Sequence, residues 1–112
     1  MPEPEQPRTF LIECYAPDIA RSDVEAVGRR AASAAAQLRD EGHSIEYVRA
    51  LLVPGDDAVF HVFSADAIDT VREAGERAAI SFERVVESVA VEAEPGLNPG
   101  ELRASGPYEE FV

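Results

Sequence analysis

A chain of 112 residues is the size of one domain with a single modest core. Its 22 acidic residues outnumber 10 basic ones, all arginine, and the formal charge of −12 excludes the basic footprint with which proteins grip nucleic acid. Cys14 is the single cysteine and lysine is absent, which excludes an intrachain disulfide, a zinc site of several thiolates and Schiff-base chemistry.

Residues 1–8, "MPEPEQPR", are rich in Pro and Glu, carry no apolar pattern and predict a disordered tail. They lack the basic stretch and apolar run of a secretory signal. No later run approaches the ~20 apolar residues of a membrane span, so a cytoplasmic protein with no membrane partner is expected. "TFLIECYA", 9–16, reads as the first strand, with Phe10, Ile12 and Cys14 on one face. Pro17 and Asp18 end it. Ser22 then stands as an N-cap, with Asp23 and Glu25 placed favourably against the helix dipole. Val24, Val27, Ala31, Ala34, Ala35 and Leu38 form a narrow, alanine-rich stripe that lets the first helix lie close to a sheet. Gly42 supplies the stop, and His43 falls in the loop behind it.

"SIEYVRALLV", 44–53, is the second strand, "PGDD" a hairpin turn, and "AVFHVFS", 58–64, the third strand. Ser64 or Asp66 is placed to cap a second helix over about 66–79, again alanine-faced. "SFERVVESVAVE", 81–92, is the fourth strand, and periodicity allows it two registers. Residues 93–112 contain two Pro-Gly steps and one Gly-Pro and predict an extended tail. Its Tyr108, Phe111 and Val112 form an apolar end suited to docking on a sister subunit or another protein.

The order βαββαβ over residues 9–92 predicts a ferredoxin-like α+β domain: a four-stranded antiparallel sheet with both helices on one face. Two-residue alternation assigns Phe10, Ile12, Cys14, Val48, Ala50, Leu52, Phe60 and Val62 to the helix-covered face. Leu11, Glu13, Tyr15, Tyr47, Arg49, Leu51, Val59, His61 and Phe63 fall on the other. That second face is too apolar to stay in water, so a homodimer joined sheet to sheet is expected. This is a dimeric α/β barrel.

Phe10 to Val89, through "FLIECYAPD", "EYVRALLVPGDDAVFHVFSADAIDTVREAG" and "ERVVES", resembles the small dimeric proteins of the ferredoxin-like superfamily long catalogued as a domain of unknown function. That family includes a described nickel-binding bacterial group. The resemblance implies a dimer and, as cofactor, a divalent transition metal such as nickel. More distantly, dimeric α/β barrels host cofactor-free monooxygenases and cyclases, so the fold alone does not choose among functions.

On the predicted open face, Glu13 and His61 lie on adjacent central strands and form the candidate site. They are either two ligands of a metal or a general base with its orienting carboxylate. Tyr15, Tyr47, Arg49 and Phe63 share the face and form a candidate ligand-binding wall. The plainer reading makes His61 a hydrogen-bonded core residue and Glu13 a salt-bridge partner of Arg49. Cys14 points at the helices, away from His61, as a buried apolar residue. The function expected is that of a small dimeric binding protein, for a metal ion such as nickel or for a small ligand. The alternatives are a cofactor-free monooxygenase, cyclase or isomerase using His61 and Glu13, and an interaction subunit acting through its C-terminal tail.

Overall fold

The computed structural model describes residues 7–93; the apolar docking end expected at Tyr108, Phe111 and Val112 lies outside the described residues. In chain order the elements are β1 (Arg8–Tyr15), α1 (Arg21–Asp40), β2 (Ile45–Val53), β3 (Ala58–Ala65), α2 (Ile68–Arg77) and β4 (Arg84–Ser88). The strands form one antiparallel sheet in the order β2-β3-β1-β4. This is the expected ferredoxin-like α+β arrangement. Among the described residues, no helix is long and apolar enough to cross a membrane.

The core lies between the helices and one sheet face. Phe10 and Ile12 of β1 and Val59 and Phe63 of β3 meet Leu38 of α1 and Val71 of α2, all fully buried. The alanine stripe behaves as expected: Ala31, Ala34 and Ala35 are at most 3% exposed, so α1 approaches the sheet without large side chains between them. Arg77 of α2 donates two hydrogen bonds to the Glu41 carboxylate just after α1, at 2.6 and 2.9 Å, and Arg30 Nε donates to the Ala78 carbonyl at 2.8 Å. These tie the two helices together at one end.

Several boundaries differ from those expected. Helix α1 is capped at Ala20, not Ser22, and the Ala20 amide donates to the Asp23 carboxylate at 3.2 Å. The carboxylate from the first turn thus does the work expected of a serine. Neither Ser64 nor Asp66 caps α2; Ser64 is still paired within β3, and Ala67 is the N-cap with no side-chain bond. "PGDD" closes the hairpin as a 3-10 turn over Pro54–Asp56, with Asp57 left-handed at φ 51. Strand β4 stops at Ser88 because Thr9↔Ser88 is its last pair with β1, and Val89 and Val91 beyond it are 77% and 90% exposed. Val85 stands opposite Ile12 on the core face and Val86 opposite Leu11 on the other, which settles the register left open by periodicity.

The largest correction concerns the faces. Ile12 pairs with His61, Phe10 with Phe63 and Cys14 with Val59, so His61, Phe63 and Val59 share the helix-covered face with the buried side of β1. Phe60 and Val62 lie on the open face instead. Strand β2 changes parity along its length: Tyr47 pairs with Phe63 but Arg49 with Val62, leaving Val48 as an extra, 43% exposed residue in a β-bulge. Ile45 and Tyr47 before the bulge, and Ala50 and Leu52 after it, therefore all face the helices.

Candidate functional site

Glu13 and His61 do not meet. Glu13 pairs with Phe60 on the open face, whereas His61 is on the helix face of the adjacent strand. The thickness of the sheet separates them, so they form neither a metal pair nor an acid/base pair. Within the subunit Glu13 binds the guanidinium of Arg84 across β1 and β4 at 2.5 Å, not that of Arg49. The proposed ligand wall also divides: Tyr15 and Arg49 remain on the open face, and Tyr47 and Phe63 are on the core side.

The sheet instead brings His61 together with Tyr47. The Tyr47 hydroxyl lies 3.0 Å from His61 Nδ1, and the rings are tilted 39° with centroids 5.9 Å apart. Phe63 supports Tyr47 edge-on, at 5.2 Å and 70°. Gly28 of α1 leaves room above the phenol, since a Cβ there would sit 3.0 Å from the hydroxyl oxygen. His61 is 2% exposed. Burial, and next the positive charge of Arg30, push its imidazole down from 6.5 to about 4, while burial raises the Tyr47 phenol. Both are neutral at pH 7.

His61 also lines a cleft of about 190 Å³ between the start of α1 and the sheet, with Cys14, Ile19, Val24, Val27 and Val59 among its walls. Cys14 and His61 are thus neighbours on one face, contrary to the sequence expectation. The thiol is buried, and burial together with Glu83 and Glu13 raises it to about 11, so it lines the cleft uncharged. A larger groove of about 700 Å³ runs over α1 and β2, with Gly28, Tyr47, Ala50 and Leu52 in its walls. Val24 borders both.

The second nitrogen of His61 decides what this arrangement can do. Among the described residues, Nε2 makes no hydrogen bond, yet no buried side-chain nitrogen or oxygen lacks a partner. The small exposed remainder of His61 therefore includes Nε2. No group of three or more His, Cys, Asp or Glu side chains among the described residues is placed to hold a metal ion. These residues do not fit a self-contained transition-metal site within one subunit.

No family model and no curated protein matches the chain. Among solved structures it is similar to SCO4226 from Streptomyces coelicolor A3(2), with a TM-score of 0.59 at 13% identity, covering 76% of this chain and 99% of that one. This likeness is one of fold. It agrees with the ferredoxin-like sheet order.

Sequence reasoning singled out His61 and Tyr47 but not their bond. Of the residues that frame the pair, Gly28 and Val48, the second carried no signal of its own. A glycine inside an otherwise alanine-rich helix was the one available hint, because it loses helix propensity with no turn to justify it.

Proposed function

We propose that the chain is a homodimeric binding protein that holds a small, largely apolar molecule in the cleft against the sheet, with the Tyr47–His61 pair as its polar recognition element. The observation carrying this reading is the buried imidazole of His61, hydrogen-bonded to Tyr47 through Nδ1 and lining a cleft whose other walls are mostly apolar. Pockets of this composition, mostly apolar with few polar groups, are the common form of small-molecule sites. The sequence resemblance to small dimeric ferredoxin-like proteins supports the assembly. So does the open sheet face, where Leu11, Leu51, Phe60, Val62 and Val86 gather on one side and no helix among the described residues covers them. Two such faces packed together bury that surface and leave the clefts accessible on the outer, helix-bearing sides.

Native mass spectrometry of protein purified from its own source tests both halves. The expected species is a dimer carrying one organic molecule per chain, and Leu51→Asp, which puts a charge on the 47% exposed residue of the open face, should shift it to monomer. A monomer at micromolar concentration overturns the assembly. A bare chain that takes up no apolar compound overturns the binding role.

A further inference from the structure

We propose that residues 108–112 of the chain, Tyr-Glu-Glu-Phe-Val, dock in the trough between α1 and the outer edge of β2 of their own subunit. Tyr108, Phe111 and Val112 meet its apolar floor, and Glu109 and Glu110 meet the arginines of its rim. The trough shares only Val24 with the cleft at His61, so this docking stands whether or not the cleft holds a ligand.

The trough lies where the sheet ends. β2 is an edge strand of nine residues, and among the described residues no strand pairs with its outer side. Such an edge presents a row of backbone donors and acceptors that native sheets cover or blunt. The bulge at Val48 interrupts it at one position. Between this edge and α1, the groove of about 700 Å³ has an apolar floor of Val24, Ala32, Tyr47, Ala50 and Leu52. Past Ala32 and Tyr47 it continues into a hollow of about 430 Å³ at the Ile45 end of β2. Arg21, Glu25 and Arg29 complete the larger part. Arg21 pairs with Glu25 at 3.4 Å, and Arg29 makes no ion pair among the described residues. The groove therefore carries net positive charge on a chain whose formal charge is −12.

The chain itself supplies a segment that fits. Ser88, the end of β4, stands in one row across the sheet with Thr9, Ser64 and Glu46, and Glu46 lines the hollow. The chain thus leaves β4 at the end of the sheet where the trough begins. Three strand spacings, about 14 Å, separate the two edges. From Ser88 to Tyr108 the chain reaches about 70 Å at full extension, and residues 94–107 contain three Pro and three Gly, the composition of a spacer. Beyond the spacer come three apolar side chains for the floor and two carboxylates for Arg29 and Arg21. A tether holds such a segment near its site at an effective concentration on the order of millimolar, so weak contacts suffice. A free peptide from another protein has no such advantage.

The test uses the full chain with a nitroxide on Ser105→Cys, since Cys14 is buried. Paramagnetic relaxation should weaken the amide signals of Ala32, Ala50 and Leu52. Phe111→Ser should reduce the docked fraction, and with it the weakening, by about tenfold, the share of one buried aromatic side chain. Arg29→Glu should reduce it by up to about fivefold, the most an exposed ion pair supplies. When nitroxide-bearing chains are mixed with 15N-labelled chains that lack it, the same signals should keep their intensity. Signals that stay intact in the chain bearing the nitroxide, or a weakening that either substitution leaves unchanged, overturn the docking. Equal weakening in the mixture puts the segment on the sister subunit and overturns the assignment to its own chain.

Discussion

The burial of His61 as a neutral base makes a measurable contribution to the pH dependence of stability. In the unfolded chain the imidazole titrates near 6.5, and in the folded one near 4. As pH falls between these values the unfolded state takes up the proton first, so stability falls with pH across this window and this contribution is fully lost below about pH 4. At about 1.4 kcal/mol per pH unit, the loss is about 3 kcal/mol, a large part of the stability of a domain this small. The groups around the imidazole are Arg30 from α1, Tyr47 from β2, whose phenol is raised by burial, and Cys14 from β1, raised to about 11. Other groups protonate in acid too and the net charge of −12 relaxes as they do, while Glu41, held by Arg77 below the usual carboxylate range, protonates later. These are shared with a His61→Gln variant, whose amide is similar in size and still offers Tyr47 an acceptor. Urea unfolding of both proteins at pH 7, 5.5 and 4 isolates the histidine: the wild type should lose about 3 kcal/mol more than the variant. Parallel losses, or a His61 imidazole observed by NMR to titrate near 6.5, would refute the burial argument.

Three further outcomes are expected. Gly75→Ala should destabilise the fold by about 1–3 kcal/mol in urea unfolding despite its better helix propensity, because the new Cβ would lie 3.0 Å from Ile12 Cδ1 and 3.1 Å from Phe82 Cε1; a more stable variant would contradict that packing. Native Cys14, with its thiol raised to about 11, should react with iodoacetamide at pH 8 at least roughly a hundredfold more slowly than in the urea-unfolded chain, and comparable rates would contradict its burial. Deleting Val48 should cost under about 1 kcal/mol and leave His61 titrating near 4, since Tyr47↔Phe63 and Arg49↔Val62 then become consecutive pairs on a regular strand; loss of the low imidazole value would show that the bulge does more than absorb one residue.

The order of elements was legible because the chain punctuates itself with Pro17, Gly42 and the Pro54–Asp57 turn, and because Ala31, Ala34, Ala35 and Leu38 repeat at helical spacing. The buried face of strand β1 was legible, although the strand runs over Arg8–Tyr15 and not 9–16, since its apolar parity at Phe10, Ile12 and Cys14 is broken by Glu13 on the other side. Strand β3 offers no such contrast. Val59, Phe60, Val62 and Phe63 are apolar on both parities, so a two-residue period cannot say which side is buried. The single polar residue, His61, then appeared to belong outside. Its true face is fixed by pairing, Ile12 with His61, and pairing depends on how many residues the hairpin turn consumes.

The site was hidden by the same arithmetic carried one strand further. Continuing the regular register back from Ala50↔His61 would put Tyr47 across from Ser64, on the open face and turned away from the imidazole. The extra residue at Val48 moves Tyr47 opposite Phe63 and under Gly28, where its hydroxyl reaches Nδ1. Without that bond a histidine 2% exposed would hold a buried unpartnered nitrogen, at a cost of about 1–3 kcal/mol, or would draw in a proton against the desolvation of the core. The burial of His61 and the parity change in β2 are therefore one feature of the fold. Each is unremarked by composition and periodicity when taken alone, and together they place a hydrogen-bonded imidazole beside a mostly apolar cleft.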